Sequence, residues 1–114
     1  MSKYESALTG NFQEVLDQIE QGIMRGSMSA SLEDGSDYSE NGIQCAVRVF
    51  ERYSIIGKNR VSLSVTLIGN GENLFLSAIA SGGSQALFFK INTWGEDAFL
   101  NRLTEIVERN GWAR

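Results

Sequence analysis

From Val61 to Ala80 the apolar residues keep to one side of an extended chain. Val61, Leu63, Val65 and Leu67 alternate with Arg60, Ser62, Ser64 and Thr66. Leu74, Leu76, Ala78 and Ala80 then alternate with Phe75, Ser77, Ile79 and Ser81. A two-residue period belongs to a strand that buries one face. Asn70-Gly71, between the runs, is the dipeptide best suited to a two-residue hairpin. A chain built this way makes an antiparallel sheet, and the sheet needs a cover for its apolar side.

That cover is written at the two ends of the chain. Phe12, Val15, Leu16, Ile19 and Ile23 recur at three- and four-residue spacing, the stripe of an amphipathic helix. Asn11 and Glu14 stand at the spacing of a capping box, and Gly22 or Gly26 supplies the stop. Toward the other end, Phe99, Leu103, Ile106 and Val107 repeat the stripe after Gly95-Glu96-Asp97, whose acidic residues suit a helix N-terminus. Asn110-Gly111 ends that helix, and Trp112 can fold back on its last turn.

Between the helices, residues 27–33 predict a half-buried strand with Met28, Ala30 and Leu32 facing inward. Residues 34–42 are polar, acidic and turn-rich, and are expected to form a loop. The next strand is long. Ile43, Cys45, Val47, Val49, Tyr53 and Ile55 lie on its apolar side; Gln44, Ala46, Arg48, Phe50, Arg52 and Ser54 lie on the other. Gly57-Lys58-Asn59 turns the chain into the run at Val61. Residues 86–91 supply a fifth strand, unless Ser84 opens a short helical turn. The expected fold is α+β, in the order αβββββα: an antiparallel meander of four to five strands with the N-terminal and C-terminal helices packed on one face.

Composition bounds this plan. The 114 residues make one domain, which buries roughly two-thirds of its unfolded surface without a disulfide or metal. Ten basic against fourteen acidic residues leave a net charge of −4, a balance that opposes nucleic acid and anionic membrane as partners. The single Cys45, the lack of an apolar leader after Met1-Ser2-Lys3-Tyr4 and the lack of a membrane-length apolar stretch point to the cytoplasm. Histidine is absent, and with it the commonest general base and metal ligand.

No motif rises to a catalytic, metal or cofactor constellation. Cys45 sits mid-strand on the apolar side, where it reads as a small buried hydrophobe. Asp34, Asp37 and Glu40 lack the ligand order of an EF-hand loop, so they read as a solvated acidic loop. Gly69-Asn70-Gly71 lies between two strands, where a dinucleotide fingerprint would pass from strand to helix. Ser81-Gly82-Gly83-Ser84 could cradle an anion with its amides, but ordinary turn chemistry explains it better. Glu51 is the odd charge: it falls on the inward side of its strand, with Arg52, Arg60 or Lys90 as partners that would neutralise it. Glu51, Tyr53 and Lys90 are the first groups an enzymatic reading would have to use, and the expectation is that the protein is not an enzyme.

The side of the sheet away from the helices carries what function the residues suggest. It combines small hydroxyls (Ser29, Ser31, Ser62, Ser64, Thr66, Ser77, Ser81) with Arg48, Arg52, Arg60, Lys90, Phe50, Phe75, Ile79 and Phe88. Aromatics and Arg are enriched at interfaces, and low Ser side chains let another surface approach. The ligand or interface candidates are Arg48, Phe50, Arg52, Ser62, Ser64, Phe88 and Lys90. Three readings suit them: a solvated outer face with a few tolerated aromatics, a second copy of the chain, or a small anionic ligand paired with Arg48, Arg52 or Lys90. The leading expectation is a non-enzymatic binding or assembly domain, homodimeric through this face. The alternative is a helix-grip-type small-ligand binder with a cavity between helix and sheet.

Four stretches carry a family resemblance: residues 47–53, 59–63, 77–85 and 88–95, the last reading Phe88-Phe89-Lys90-Ile91-Asn92-Thr93-Trp94-Gly95. Through them the chain resembles a family of small uncharacterised bacterial proteins of about this length. The resemblance covers nearly the whole chain. It implies a bacterial cytosolic protein and carries no activity or site residue with it.

Overall fold

The computed structural model describes residues 1–26, 29–54, 59–82 and 89–114, with their side chains except at 54, 59 and 89–97. The elements run β1 (Ser2–Thr9), α1 (Phe12–Arg25), β2 (Ser31–Glu40), β3 (Ile43–Ser54), β4 (Asn59–Asn70), β5 (Asn73–Gly82) and α2 (Phe89–Asn110). The five strands form one antiparallel sheet in the order β1-β5-β4-β3-β2. The α+β class, the antiparallel sheet and the two covering helices agree with the sequence expectation. The element order does not, because the chain opens with a strand.

Strands β2 to β5 are a meander of neighbouring hairpins. Between β2 and β3, Asn41 and Gly42 both take positive φ, 54° and 83°, the geometry of a type I′ turn. Between β4 and β5 the loop is Gly71-Glu72, closed by the pair Asn70↔Asn73. Gly71 sits at φ 62° in the first loop position, where a type II′ turn demands glycine. The expected hairpin is thus present, displaced by one residue.

Strand β1 then pairs with β5 at the far edge, Ser2↔Ala80 through Thr9↔Asn73. Its outer edge is capped by the C-terminal tail. Thr9 N–H donates to the Trp112 carbonyl at 2.9 Å, and Arg114 N–H donates to the Ala7 carbonyl at 2.9 Å. Helix α1 carries the chain from the β1 edge to the β2 edge.

Helix α1 is the helix that the stripe predicts. The Asn11 side chain accepts from Glu14 N–H at 3.0 Å, and Phe12, Val15, Leu16, Ile19 and Ile23 are all buried. Gly26 is its C-cap, and Gly22 has a different task. A Cβ at Gly22 would lie 2.4 Å from Ile106 Cδ1, so the glycine sets how closely α1 approaches α2. The end of α2 is a Schellman motif: Trp112 N–H donates to the Val107 carbonyl and Gly111 N–H to the Glu108 carbonyl, with Gly111 at φ 68°. The fold-back of Trp112 is therefore real, and its ring packs against the core. The α2 stripe of Phe99, Leu103, Ile106 and Val107 is buried, with Leu100 beside it.

Three expectations are overturned at the level of elements. The strand predicted over 27–33 starts at Ser31, and the predicted acidic loop 34–42 is mostly strand β2, with Asn41-Gly42 as its turn. Of the inward set there, Leu32 is exposed at the sheet margin, Ala30 is half-buried and Met28 lies outside the described residues. A bulge at Glu33 separates the pairs Leu32↔Phe50 and Asp34↔Val49, which switches the side each following residue faces. Finally, Phe89, Lys90 and Ile91 begin α2 rather than closing a fifth strand, while residues 86–88 lie outside the described residues.

Candidate functional site

Residues directly paired across strands share a face, so the register decides what each side of the sheet presents. On β4 and β5 the inward set is the expected one: Val61, Leu63, Val65, Leu67, Leu74, Leu76, Ala78 and Ala80 are buried beneath the helices. On β3 the faces are inverted. Ala46↔Leu67, Arg48↔Val65, Phe50↔Leu63 and Arg52↔Val61 place the even-numbered residues of β3 with the core. Phe50 is 0% exposed and among the largest buried side chains.

Arg48, Phe50 and Arg52 therefore leave the outer-face candidates. Their inward charges are answered locally. Arg48 is 14% exposed; its Nε donates to Glu20 of α1 at 2.6 Å and its second guanidinium nitrogen meets Asp37 of β2 at 2.9 Å. Burial pulls the Arg48 guanidinium down, but the hydrogen bonds and attraction of the two carboxylates outweigh it and hold the group above its ordinary value. Arg52 lies over the Phe99 ring, 4.8 Å from its centroid, a cation–π contact. Burial pushes that guanidinium below its ordinary value. Both arginines tie helices to sheet.

Ser62 and Ser64 do face away from the helices, as expected, on the central strand. Phe88 lies outside the described residues, and Lys90 is in the first turn of α2, its side chain among those not described. The inversion also settles the odd charge on β3. Glu51 is on the open face, where Arg60 Nη1 donates to it at 2.7 Å and Ser62 Oγ at 3.3 Å. Arg60 is one of the three partners the sequence offered. Cys45, expected in the core, is half-buried on the open face.

Three ladders cross this open face through all five strands. Tyr38, Cys45, Ile68, Phe75 and Ala7 form one; Ser36, Val47, Thr66, Ser77 and Glu5 form the next; Asp34, Val49, Ser64, Ile79 and Lys3 form the third. Phe75 is 42% exposed, and Tyr38, Ile43, Tyr53, Ile68 and Ile79 are exposed with it. Both helices pack on the other side, and among the described residues nothing covers this one. Sequence reasoning missed Ile43, Cys45, Val47, Val49 and Tyr53 as members of this face. Their apolar character was read correctly and assigned to the wrong side.

Three of the surface clefts are lined by described residues. One of about 220 Å³ lies between the start of α1 and the β2–β3 hairpin, lined by Phe12, Gln13, Tyr38 and Cys45 among others. A second, about 150 Å³, lies between the helices and gathers Arg25, Arg102 and Arg109. There Arg102 Nε donates to the Gly22 carbonyl at 3.0 Å, while Arg25 and Arg109 stand in the last turns of their helices, complementing the negative end of each dipole. The third, of about 380 Å³, lies along the α1 surface by Glu14, Asp17 and Trp112. Among the described residues no group of three or more His, Cys, Asp or Glu side chains could hold a metal ion. Among the same residues no helix is long and apolar enough to cross a membrane.

These features define a class: a small α+β domain with both helices on one side of an antiparallel sheet and a mixed apolar and hydroxyl face on the other. The chain belongs to a family of unknown function, DUF6054, whose model matches residues 1–111. No curated protein and no solved structure matches it.

Proposed function

We propose that this is a non-catalytic assembly domain that self-associates through the open face of its sheet. The observation that carries this reading is the apolar imbalance of β3. Its inward side holds Gln44, Arg48 and Arg52 beside Ala46 and Phe50, whereas its outward side is Ile43, Cys45, Val47, Val49 and Tyr53, interrupted only by Glu51. A strand face meant for water alternates toward polar residues. Single exposed apolar residues are ordinary, but a continuous ladder from Tyr38 to Phe75 is the mark of a contact surface.

Chemistry points the same way. Among the described residues, charged groups pair within the protomer: Arg48 with Glu20 and Asp37, Arg60 with Glu51, Arg102 with Glu105, and Lys3 with Glu5. Among the described residues, helix stripes and inner sheet face form one cluster of buried side chains, so no observation favours the helix-grip alternative. Sedimentation velocity across the micromolar range tests the proposal. The native chain is expected at a multiple of its own mass, and an Ile79→Asp variant as a monomer with an unchanged circular dichroism spectrum. A native chain that stays monomeric throughout that range would overturn it.

A further inference from the structure

We infer that the assembly is a twofold dimer whose axis runs along the central strand β4, with Lys3 of each protomer facing Asp34 of the other. This rests on the assembly reading above and goes further by fixing the arrangement and the residues that select it. The starting point is the sheet order, which leaves β4 in the middle with two strands on each side. A dyad lying between two stacked sheets and parallel to β4 sets β3 over the partner's β5, and β2 over the partner's β1. Each ladder then meets its own reverse.

The three ladders are self-complementary under that operation. In the first, Phe75 meets Cys45 and Tyr38 meets Ala7, a large side chain over a small one each time, with Ile68 against Ile68 at the centre. In the third, Ile79 meets Val49, and the positive end of the ladder at Lys3 meets the negative end at Asp34. On the axis itself stand Ser64 and Thr66, side chains small enough to let the two sheets close. Glu5 meets Ser36 at the rim. The other dyad available to stacked sheets runs across the strands. Centred on the same face, it sets Glu5 against Glu5, a like-charge contact, and leaves Lys3 over Ala7.

The size of the face suits a stable pair. Five strands spaced ~4.8 Å apart, over the eight residues of β1, give a patch of about 650 Å² per protomer. Two such patches approach about 1,300 Å², inside the range of specific interfaces. Within one protomer Lys3 and Asp34 stand at opposite edges of the sheet, ~19 Å apart by strand count, beyond a Debye length of about 10 Å in ordinary buffer. Any coupling between them must therefore cross the interface.

Charge reversal reads that coupling directly. Lys3→Asp and Asp34→Lys are each expected to raise the dimer dissociation constant by about tenfold or more, since each places two like-charge pairs at the interface. The double reversal K3D/D34K restores both pairs and returns the constant to near its native value. Mixing the two single variants creates two opposite pairs in the mixed dimer, so native mass spectrometry should show the heterodimer exceeding either homodimer. A native dimer whose single variants gain nothing from mixing or from combination overturns the β4 dyad while leaving self-association intact. A native chain that is monomeric removes both.

Discussion

At the residue scale the most informative position is Arg48. Its place in an alternating strand assigns it to whichever face opposes Val47 and Val49, and the apolar weight of those neighbours assigns them to the core. The structure reverses both. Phe50 and Ala46 fill the core from the same side as Arg48, and the guanidinium reaches the helix margin, where Glu20 and Asp37 receive it. A period of two is legible in any strand, but which side is inward depends on partners far away in sequence. On β4 one side, with Arg60, Ser62, Ser64 and Thr66, is polar enough to decide, and Ser62 and Ser64 face away from the helices as expected. On β3 both sides carried apolar residues, because both meet apolar surfaces if the open face is an interface. Arg48→Met is expected to lower stability by about 2 kcal/mol, since it removes charge-assisted bonds to Glu20 and Asp37 while those carboxylates, partly exposed, regain water. Urea unfolding of the native and variant chains measures it. A double-mutant cycle with Glu20→Gln should return a coupling of about 1 kcal/mol, and a coupling near zero would show that packing rather than charge holds Arg48 in place.

At the element scale, what was legible tracks sequence locality. Helix α1 has its cap, stripe and stop within sixteen residues, and each was found where it was expected. Strand β1 was invisible because its inward residues are Tyr4, Ser6 and Leu8, a weak apolar signal, and its partner strand lies some seventy residues along the chain. Strand β2 was hidden for a different reason. It is an edge strand whose Glu33, Asp34, Asp37 and Glu40 discourage pairing with foreign strands, so acidic composition that predicts a loop here marks a protected edge. The packing of α1 on α2 shows the same limit, because a glycine in a helical stripe reads as a stop until a second helix is seen against it. Gly22→Ala should gain about 1 kcal/mol of helix propensity and lose more than that to the Ile106 side chain it would strike. The net expectation is a destabilisation of about 1 kcal/mol, read from the denaturation midpoint. Adding Ile106→Val removes the struck Cδ1 and should recover most of that loss. If the pair proves simply additive, the close approach of the helices is not set by Gly22.

At the scale of the whole molecule, the inner sheet face is the apolar core, the open face mixes apolar ladders with hydroxyl and charged residues, and among the described residues helices cover only the first. A single layer of helix on sheet leaves such a domain with an exposed ladder that water does not favour, and stacking two sheets is the standard way antiparallel layers resolve it. In the proposed assembly, self-association contributes to folding stability, because the second copy binds the folded chain and not the unfolded one. The consequence is a stability that depends on protein concentration. A hundredfold increase within the range where dimer forms is expected to raise the thermal midpoint by about 5 °C for a chain of this length. The Ile79→Asp variant should lose that dependence and keep the midpoint that the native chain shows at its lowest concentration, since Ile79 is exposed in the single protomer and its loss costs the monomer little. A variant that melts lower than the dilute native chain would mean that Ile79 supports the protomer itself. A native midpoint unchanged across the range would mean that the open face meets water, and the apolar ladder through Ile68 and Phe75 would then be a liability tolerated by the two protected edges, the acidic β2 and the tail-capped β1.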